Sequence, residues 1–241
     1  MDLSKFPEDE LNFINIHVGL VIKDDEHLKK CIKKYFEENA ESKTITFWDT
    51  TNIKNMSYSF YEIYNFNILL LWNVSNVENM SSMFYKCKKF NQPLNNWNVS
   101  KVENMYYMFA GCIKFNQPLN KWNVSNVKDM SAMFYVCDNF NEPLNNWNVS
   151  NVKNMGIMFA ICKEFNQPLN NWNVSNVEDM NYMFFRCENF NQPLNSWDVK
   201  NVKNMSYMFC DCKEFNQSLN NWNVNNVLSK FNMFQGCTNY K

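Results

Sequence analysis

From residue 48 onward the chain sets apolar and polar positions on a fixed schedule. Tryptophan falls at Trp48, Trp72, Trp97, Trp122, Trp147, Trp172, Trp197 and Trp222, one step of 24 followed by steps of 25. Cys87, Cys112, Cys137, Cys162, Cys187, Cys212 and Cys237 keep the same period. One unit reads F-N-Q-P-L-N-N-W-N-V-S-N-V-x-N-M-x-x-M-F-x-x-C-x-x, as in Phe90 to Lys114. A unit of that length cannot bury its own apolar face, so the period predicts coils that lean on one another. Met80, Met83, Phe84 and Cys87 stand at i, i+3, i+4 and i+7, which predicts a two-turn helix with one face inward. The position before that stripe holds Asn55, Asn79, Asn104, Asp129, Asn154, Asp179, Asn204 and Ser229, short polar residues suited to cap a helix start. Leu94, Trp97 and Val99 predict a short inward-facing strand, and stacked strands predict a parallel sheet.

The flanks of the repeat differ from its interior, as expected of units with one neighbour. Ile63 stands in place of the periodic cysteine, Ser59 in place of the second methionine, and Phe66 to Trp72 is one residue short. At the other end Ser218 replaces proline, Lys230 replaces the first methionine and Tyr240 replaces phenylalanine. Residues 1–45 lie outside the period. There Leu28, Cys31, Ile32, Tyr35 and Phe36 predict an amphipathic helix beginning near Asp24 or Asp25, an N-terminal helical cap over a repeat region of residues 46–241.

The 241 residues are 46% hydrophobic and 17% aromatic, which suits a folded chain. Twenty-three basic and 24 acidic residues leave a formal charge of −1, no field for gripping nucleic acid or an anionic membrane. With only four glycines, the 45 asparagines must supply much of the turn chemistry. Stacked coils would set Asn91, Asn116, Asn141, Asn166, Asn191 and Asn216 above one another, each amide bonding its own bend and the equivalent amide next door. The acidic Met1–Glu10 and the short, interrupted apolar run Leu11–Ile22 fit neither a signal peptide nor a spanning helix. The expected location is intracellular, with an unconventional route to the cell surface as the alternative.

W-N-V-S-N-V-E-N-M-S-S-M-F-Y-K-C (Trp72 to Cys87) and F-N-Q-P-L-N-N-W (Phe90 to Trp97) resemble the 25-residue repeat of the BspA-like leucine-rich-repeat proteins, over about four fifths of the chain. Similar repeats occur in bacterial surface proteins and in proteins of large DNA viruses. The resemblance implies an α/β fold, a leucine-rich-repeat-like right-handed solenoid. It would have about eight coils of 25 residues, each with a short strand and a two-turn helix. It also implies a role in adhesion or protein–protein contact, and it carries no catalytic residues to transfer.

Candidate chemistry is sparse. His17 and His27 lie outside the repeats in no metal or nucleophile motif, and fit surface or cap positions. Acids interchange with lysine at Glu78, Glu103, Lys128 and Lys153, which marks a solvated edge and not a carboxylate pair. The cysteine column reads as reduced core thiols, with Cys210 at a variable, exposed position and the most reactive. N-V-S at Asn73, Asn98, Asn123, Asn148 and Asn173 forms formal glycosylation acceptors that serve the bend of each coil. No catalytic residue, cofactor or metal site is expected.

Units differ most at two outward columns of the predicted helix. One runs Tyr58, Ser82, Tyr107, Ala132, Ile157, Tyr182, Tyr207, and the other Tyr61, Tyr85, Ala110, Tyr135, Ala160, Phe185, Cys210. Such rings either cover the seams between coils or form a docking stripe. The docking residues are then Tyr107, Tyr135, Tyr182, Phe185 and Tyr207. The expectation is a non-enzymatic, monomeric scaffold for a protein partner of unknown identity, with no nucleic acid and no membrane insertion. The alternative is an adhesin-like surface protein that binds host protein or glycan.

Overall fold

A computed structural model describes residues 20–37 and 43–240. The predicted N-terminal helix is present as α1, Asp25–Glu37, and a 3₁₀ turn follows at Lys43–Phe47. The Asp24 carboxylate accepts the His27 N–H at 2.8 Å, capping α1. His27 Nδ1 in turn accepts the Lys23 N–H at 3.1 Å, so this histidine is a cap residue. His17 lies outside the described residues.

Beyond Phe47 the 25-residue units stack as coils, with no helix and no β-strand among the described residues. The α/β leucine-rich-repeat-like architecture is therefore corrected: neither the two-turn helix at Met80–Cys87 nor the strand at Leu94–Val99 forms. Consecutive tight turns replace the helix. Met83, Tyr85, Cys87 and Phe90 each donate their N–H to the carbonyl three residues back, while Met80, Ser82, Phe84 and Lys86 donate to Asn104, Tyr106, Met108 and Ala110 of the next coil. A helix would point these groups along its own axis and aim none of them sideways at the next coil. Left-handed backbone at Ser82 (φ 54°) and Lys86 (φ 58°) breaks the helical path and aims alternate N–H groups outward. The apolar spacing survives because tandem turns also bring Met80, Met83, Phe84 and Cys87 inside, all fully buried.

The column read as helix caps is a column of parallel β-bridges, from Asn55–Asn79 to Asn204–Ser229. The capping chemistry itself is real: Asn79 Oδ1 accepts the Ser81 N–H at 2.9 Å, as a cap would, but a tandem-turn arc follows. Next to it, Glu78, Glu103, Lys128, Lys153, Glu178, Lys203 and Leu228 donate backbone N–H groups to the preceding coil at 2.7–2.9 Å, a ladder along the whole stack.

On the opposite arm the predicted sheet is absent because side chains take the place of backbone acceptors. Asn91 Oδ1 accepts the Asn116 N–H at 2.9 Å and the Gln117 amide at 3.1 Å, and Asn95 Oδ1 accepts the Lys121 N–H at 3.0 Å. The asparagine ladder thus bonds the next coil's backbone and its glutamine, in place of amide to like amide. A carboxamide reaches further than a carbonyl, so this arm joins coils without the pleat of a sheet.

Three aromatic columns fill the core. Phe84 stacks on Phe109 at 5.6 Å, Phe115 on Phe140 at 6.0 Å and Trp122 on Trp147 at 6.4 Å. From Trp72 to Trp222 each indole N–H reaches a carbonyl about one coil back, as Trp122 does to Leu94 at 2.9 Å, so the ring is buried with its polar atom satisfied. Each periodic thiol does likewise, Cys112 donating to the Phe84 carbonyl at 3.0 Å. The helix α1 closes the first coil: Phe36 packs edge-on to Phe60 and Phe66, and Asp25 Oδ1 accepts the N–H groups of Lys54 and Asn55 at 3.0 and 3.1 Å. That carboxylate does what a preceding coil does elsewhere.

Candidate functional site

The tandem-turn arcs form the face where coils differ. Two positions per arc are left-handed, the first at residues 58, 82, 107, 132, 157, 182, 207 and 232, the second four residues later. Glycine or asparagine suits such backbone, as at Gly111, Gly236 and Asn232. Tyr58, Tyr107, Tyr182, Tyr207, Val136, Ile157 and Ile161 occupy it as well, at φ between 52° and 63° or, for Ile161, 64°. For a side chain with a Cβ this costs about 1–2 kcal/mol, and β-branching makes it rarer still.

The five predicted docking residues are all half-buried, and the arc brings them into two clusters instead of one stripe. In the first, Tyr107 sits 4.3 Å from Tyr106, 5.8 Å from Tyr85 and 6.4 Å from Tyr135. In the second, Tyr182 stacks on Tyr207 at 4.6 Å and meets Phe185 edge-on at 5.4 Å, while Tyr207 meets Phe231. Ala132, Ile157, Ala160 and Ile161 separate the two. The rings cover seams between coils and keep surface toward solvent, so both sequence readings describe part of the same packing.

Several members of this face lie outside the five predicted docking residues. Tyr61 stacks on Tyr85 at 4.8 Å, and Tyr106 and Phe231 remain exposed. Lys86 Nζ lies 5.0 Å over the Tyr85 ring and pairs with Glu62 at 2.7 Å; Lys88 lies 5.0 Å over the Tyr64 ring. Tyr64, Tyr85, Lys86, Lys88, Gly111 and Tyr135 line a cavity of about 410 Å³. One sign was available in the sequence: glycine at 111, inside a column that carries Glu62, Lys86, Val136, Ile161, Arg186 and Asp211 and returns to glycine only in the last coil, at Gly236. In the second cluster the Arg186 guanidinium lies 5.1 Å over the Phe185 ring and pairs with Asp211 at 3.3 Å.

The electrostatics are mild. Burial, then Tyr106, raises the Tyr107 hydroxyl above its ordinary range, and burial, then Tyr207, does so for Tyr182. The Glu62 hydrogen bond raises Lys86. These groups stay in their neutral-pH forms, tyrosine as donor and lysine as cation.

Cys210 is corrected: it is 5% exposed, and burial, followed by Asp211, raises its thiol above the ordinary value. It is therefore not a reactive surface thiol. The N-V-S asparagines are exposed but occupied, Asn98 Oδ1 accepting the Ser100 N–H at 3.2 Å. Among the described residues no three metal-ligating side chains gather, and no helix is long and apolar enough to cross a membrane.

No curated protein and no solved structure matches the chain. A family match covers residues 30–147 and 128–241, the two segments overlapping inside the repeat region and running to the last residue. The repeats and their stacking are the features this match spans, and the chain belongs to the family described as Mycoplasma protein of unknown function, DUF285.

Proposed function

We propose that the protein is a non-enzymatic binding module, and that its tandem-turn face is where a protein partner docks. The observation that carries this reading is the occupation of left-handed positions by Tyr107, Ile157, Ile161, Tyr182 and Tyr207. A fold selected only for stability favours glycine or asparagine there, so side chains retained at a cost and held half-exposed support a role outside the fold. Half-buried tyrosines present large, rigid contact area at small entropic cost, and they concentrate in interface centres. The resemblance of W-N-V-S-N-V-E-N-M-S-S-M-F-Y-K-C to the BspA-like repeat supports a contact role. An intracellular location is part of this reading. Replacing Tyr107, Tyr182, Phe185 and Tyr207 together by serine should abolish partner capture in a pull-down from the native cell, and intact capture would rule out this face.

Adhesion at a cell surface is the second reading, supported by the likeness of W-N-V-S-N-V-E-N-M to repeats of bacterial surface proteins. Antibody labelling of intact, unpermeabilised cells separates the two: surface signal favours adhesion, and signal only after permeabilisation removes it.

A further inference from the structure

On the tandem-turn face a hollow and a bulky pair lie at mirrored distances from the middle of the stack. Its eight arcs run from Tyr58–Glu62 to Asn232–Gly236, with the midpoint between the arc of Val136 and the arc of Ile161. The cavity at Gly111 lies in the third arc, and the Phe185 ring with the exposed Arg186 guanidinium over it lies in the sixth. The two are equally far from the midpoint, on opposite sides.

We propose that a second copy of this chain is the partner that docks on this face, with the two stacks antiparallel about a two-fold axis that crosses the coils between the fourth and fifth arcs. This rests on the reading of the face as a docking surface and names its occupant. The rotation lays the third arc of one copy over the sixth of the other, the second over the seventh and the fourth over the fifth. Phe185 and Arg186 then come over the partner copy's 410 Å³ cavity, which Gly111 helps to line. In the same register Tyr107 meets Tyr182 ring on ring, and three other large side chains meet small ones. Tyr135 faces Ala160, Phe185 faces Ala110 and Tyr207 faces Ser82, and all three small residues are sunk below the surface, at 4% exposure or less.

Charge follows the same symmetry. Lys86, already paired with Glu62, comes over Asp211, already paired with Arg186, so each half of the interface closes an alternating cluster of two acids and two bases. Val136 and Ile161 meet near the axis, which gives their left-handed backbone an aliphatic contact. The parallel alternative sets Lys86 on Lys86, cavity on cavity and Phe185 on Phe185, and forfeits every one of these matches. An interface of this type is isologous and closes at two copies.

The test uses two single variants of the full chain, Lys86→Cys and Asp211→Cys, mixed at equal concentration and oxidised mildly. Positions 86 and 211 are five coils apart within one chain, so a bond between them joins two molecules. The mixture should give a disulfide-linked dimer several-fold faster than either variant alone or the unaltered protein, whose own thiols set the background. Sedimentation velocity at about 100 µM should show a dimer that Phe185→Ala weakens at least roughly tenfold, with the circular dichroism spectrum of the folded chain retained. A monomer at that concentration, or equal linkage by Lys86→Cys alone, overturns the antiparallel dimer. If such a monomeric protein still loses capture of another protein in the serine variant, the docking face stands and only its occupant is wrong.

Discussion

Each coil has two arms that solve the same problem differently. On the tandem-turn arc, backbone bonds backbone between coils, as Met105 N–H does to the Asp129 carbonyl at 2.9 Å, and side chains are left free to vary. On the asparagine arm, side chains make the bonds between coils, as Asn141 Oδ1 does to the Asn166 N–H at 3.0 Å, and the residue type is fixed down the column. Where the backbone joins the stack, sequence is available for contact with other molecules. Where side chains join it, sequence is committed to the fold. The variable rings and the invariant asparagines thus have one cause.

The largest expected effect breaks the asparagine arm. Asn141→Leu removes the acceptor for both the Asn166 N–H and the Gln167 amide. Leaving those donors short of a partner should cost about 1–3 kcal/mol, read as a lower midpoint in urea unfolding. Asn141→Asp keeps an acceptor oxygen and should cost much less. Ser81→Ala, on the arc, should leave the midpoint nearly unchanged, because the Ser81 backbone makes the contact there. Equal losses at both sites would erase the distinction between the arms.

The arc ends in the thiol column, and this gives the stack an alkaline limit. Burial holds Cys112, Cys137, Cys187 and Cys212 well above the ordinary value of 9.0, and it pushes Cys237, at the less covered end, up to about 11. Below pH 9 these thiols are neutral in both folded and unfolded chains and cost nothing. Above it only the unfolded chain releases their protons, so stability present at neutral pH is lost as pH rises. Each fully buried thiol should contribute a fall of about 1.4 kcal/mol per pH unit. Stability measured from pH 7.5 to 10.5 should therefore drop steeply, and Cys137→Ala should make that drop shallower by one thiol's share. A flat profile would mean the column opens to solvent more readily than its packing indicates.

Much of this was legible in the chain, and what was not has a physical reason. Trp97, Phe84 and Cys87 marked the core because burial depends only on which side chains face inward. Met80, Met83, Phe84 and Cys87 misled on secondary structure because tandem turns and a two-turn helix put the same four positions inside. Left-handed backbone distinguishes them, and Ser82 and Lys86 do not announce it as glycine would. The strand at Leu94–Val99 failed because Asn91 and Asn95 replace carbonyls, so no ladder runs there. Tyr107, Tyr135, Tyr182, Phe185 and Tyr207 were found as variable columns. The cavity at Gly111 was not, because Tyr64 and Lys88 reach it from beyond the two columns compared.

A smaller effect, of opposite sign at two sites, sharpens the claim that the arc tolerates strain for the sake of its surface. Gly111→Val places a Cβ about 3.2 Å from the Lys86 Cα at φ +77° and should destabilise by roughly 1–2 kcal/mol. Ile161→Asn, at φ 64°, puts a residue that tolerates left-handed backbone where a β-branched one now stands, and should stabilise by about 0.5–1 kcal/mol. The same change removes an aliphatic group from the proposed docking face. Its mark is therefore a raised thermal midpoint together with weaker association, a combination that a purely structural isoleucine would not produce.

The smallest effect concerns the charged column beside the ladder, where Lys128 pairs with Glu103 at 2.6 Å and Lys203 with Glu178 at 2.7 Å. These pairs look like staples between coils, yet all four side chains are about half exposed or more, and water and salt screen them. The backbone bonds beneath, Lys128 N–H to Glu103 and Lys203 N–H to Glu178, both 2.8 Å, persist whatever side chain is attached. Lys128→Gln with Lys203→Gln should leave the urea midpoint unchanged within error in 0.5 M salt and shift it only slightly at low ionic strength. A large salt-independent loss would show that side chains join the stack on this edge too, and the division of labour between the two arms would then fail at the column where backbone bonding is most continuous.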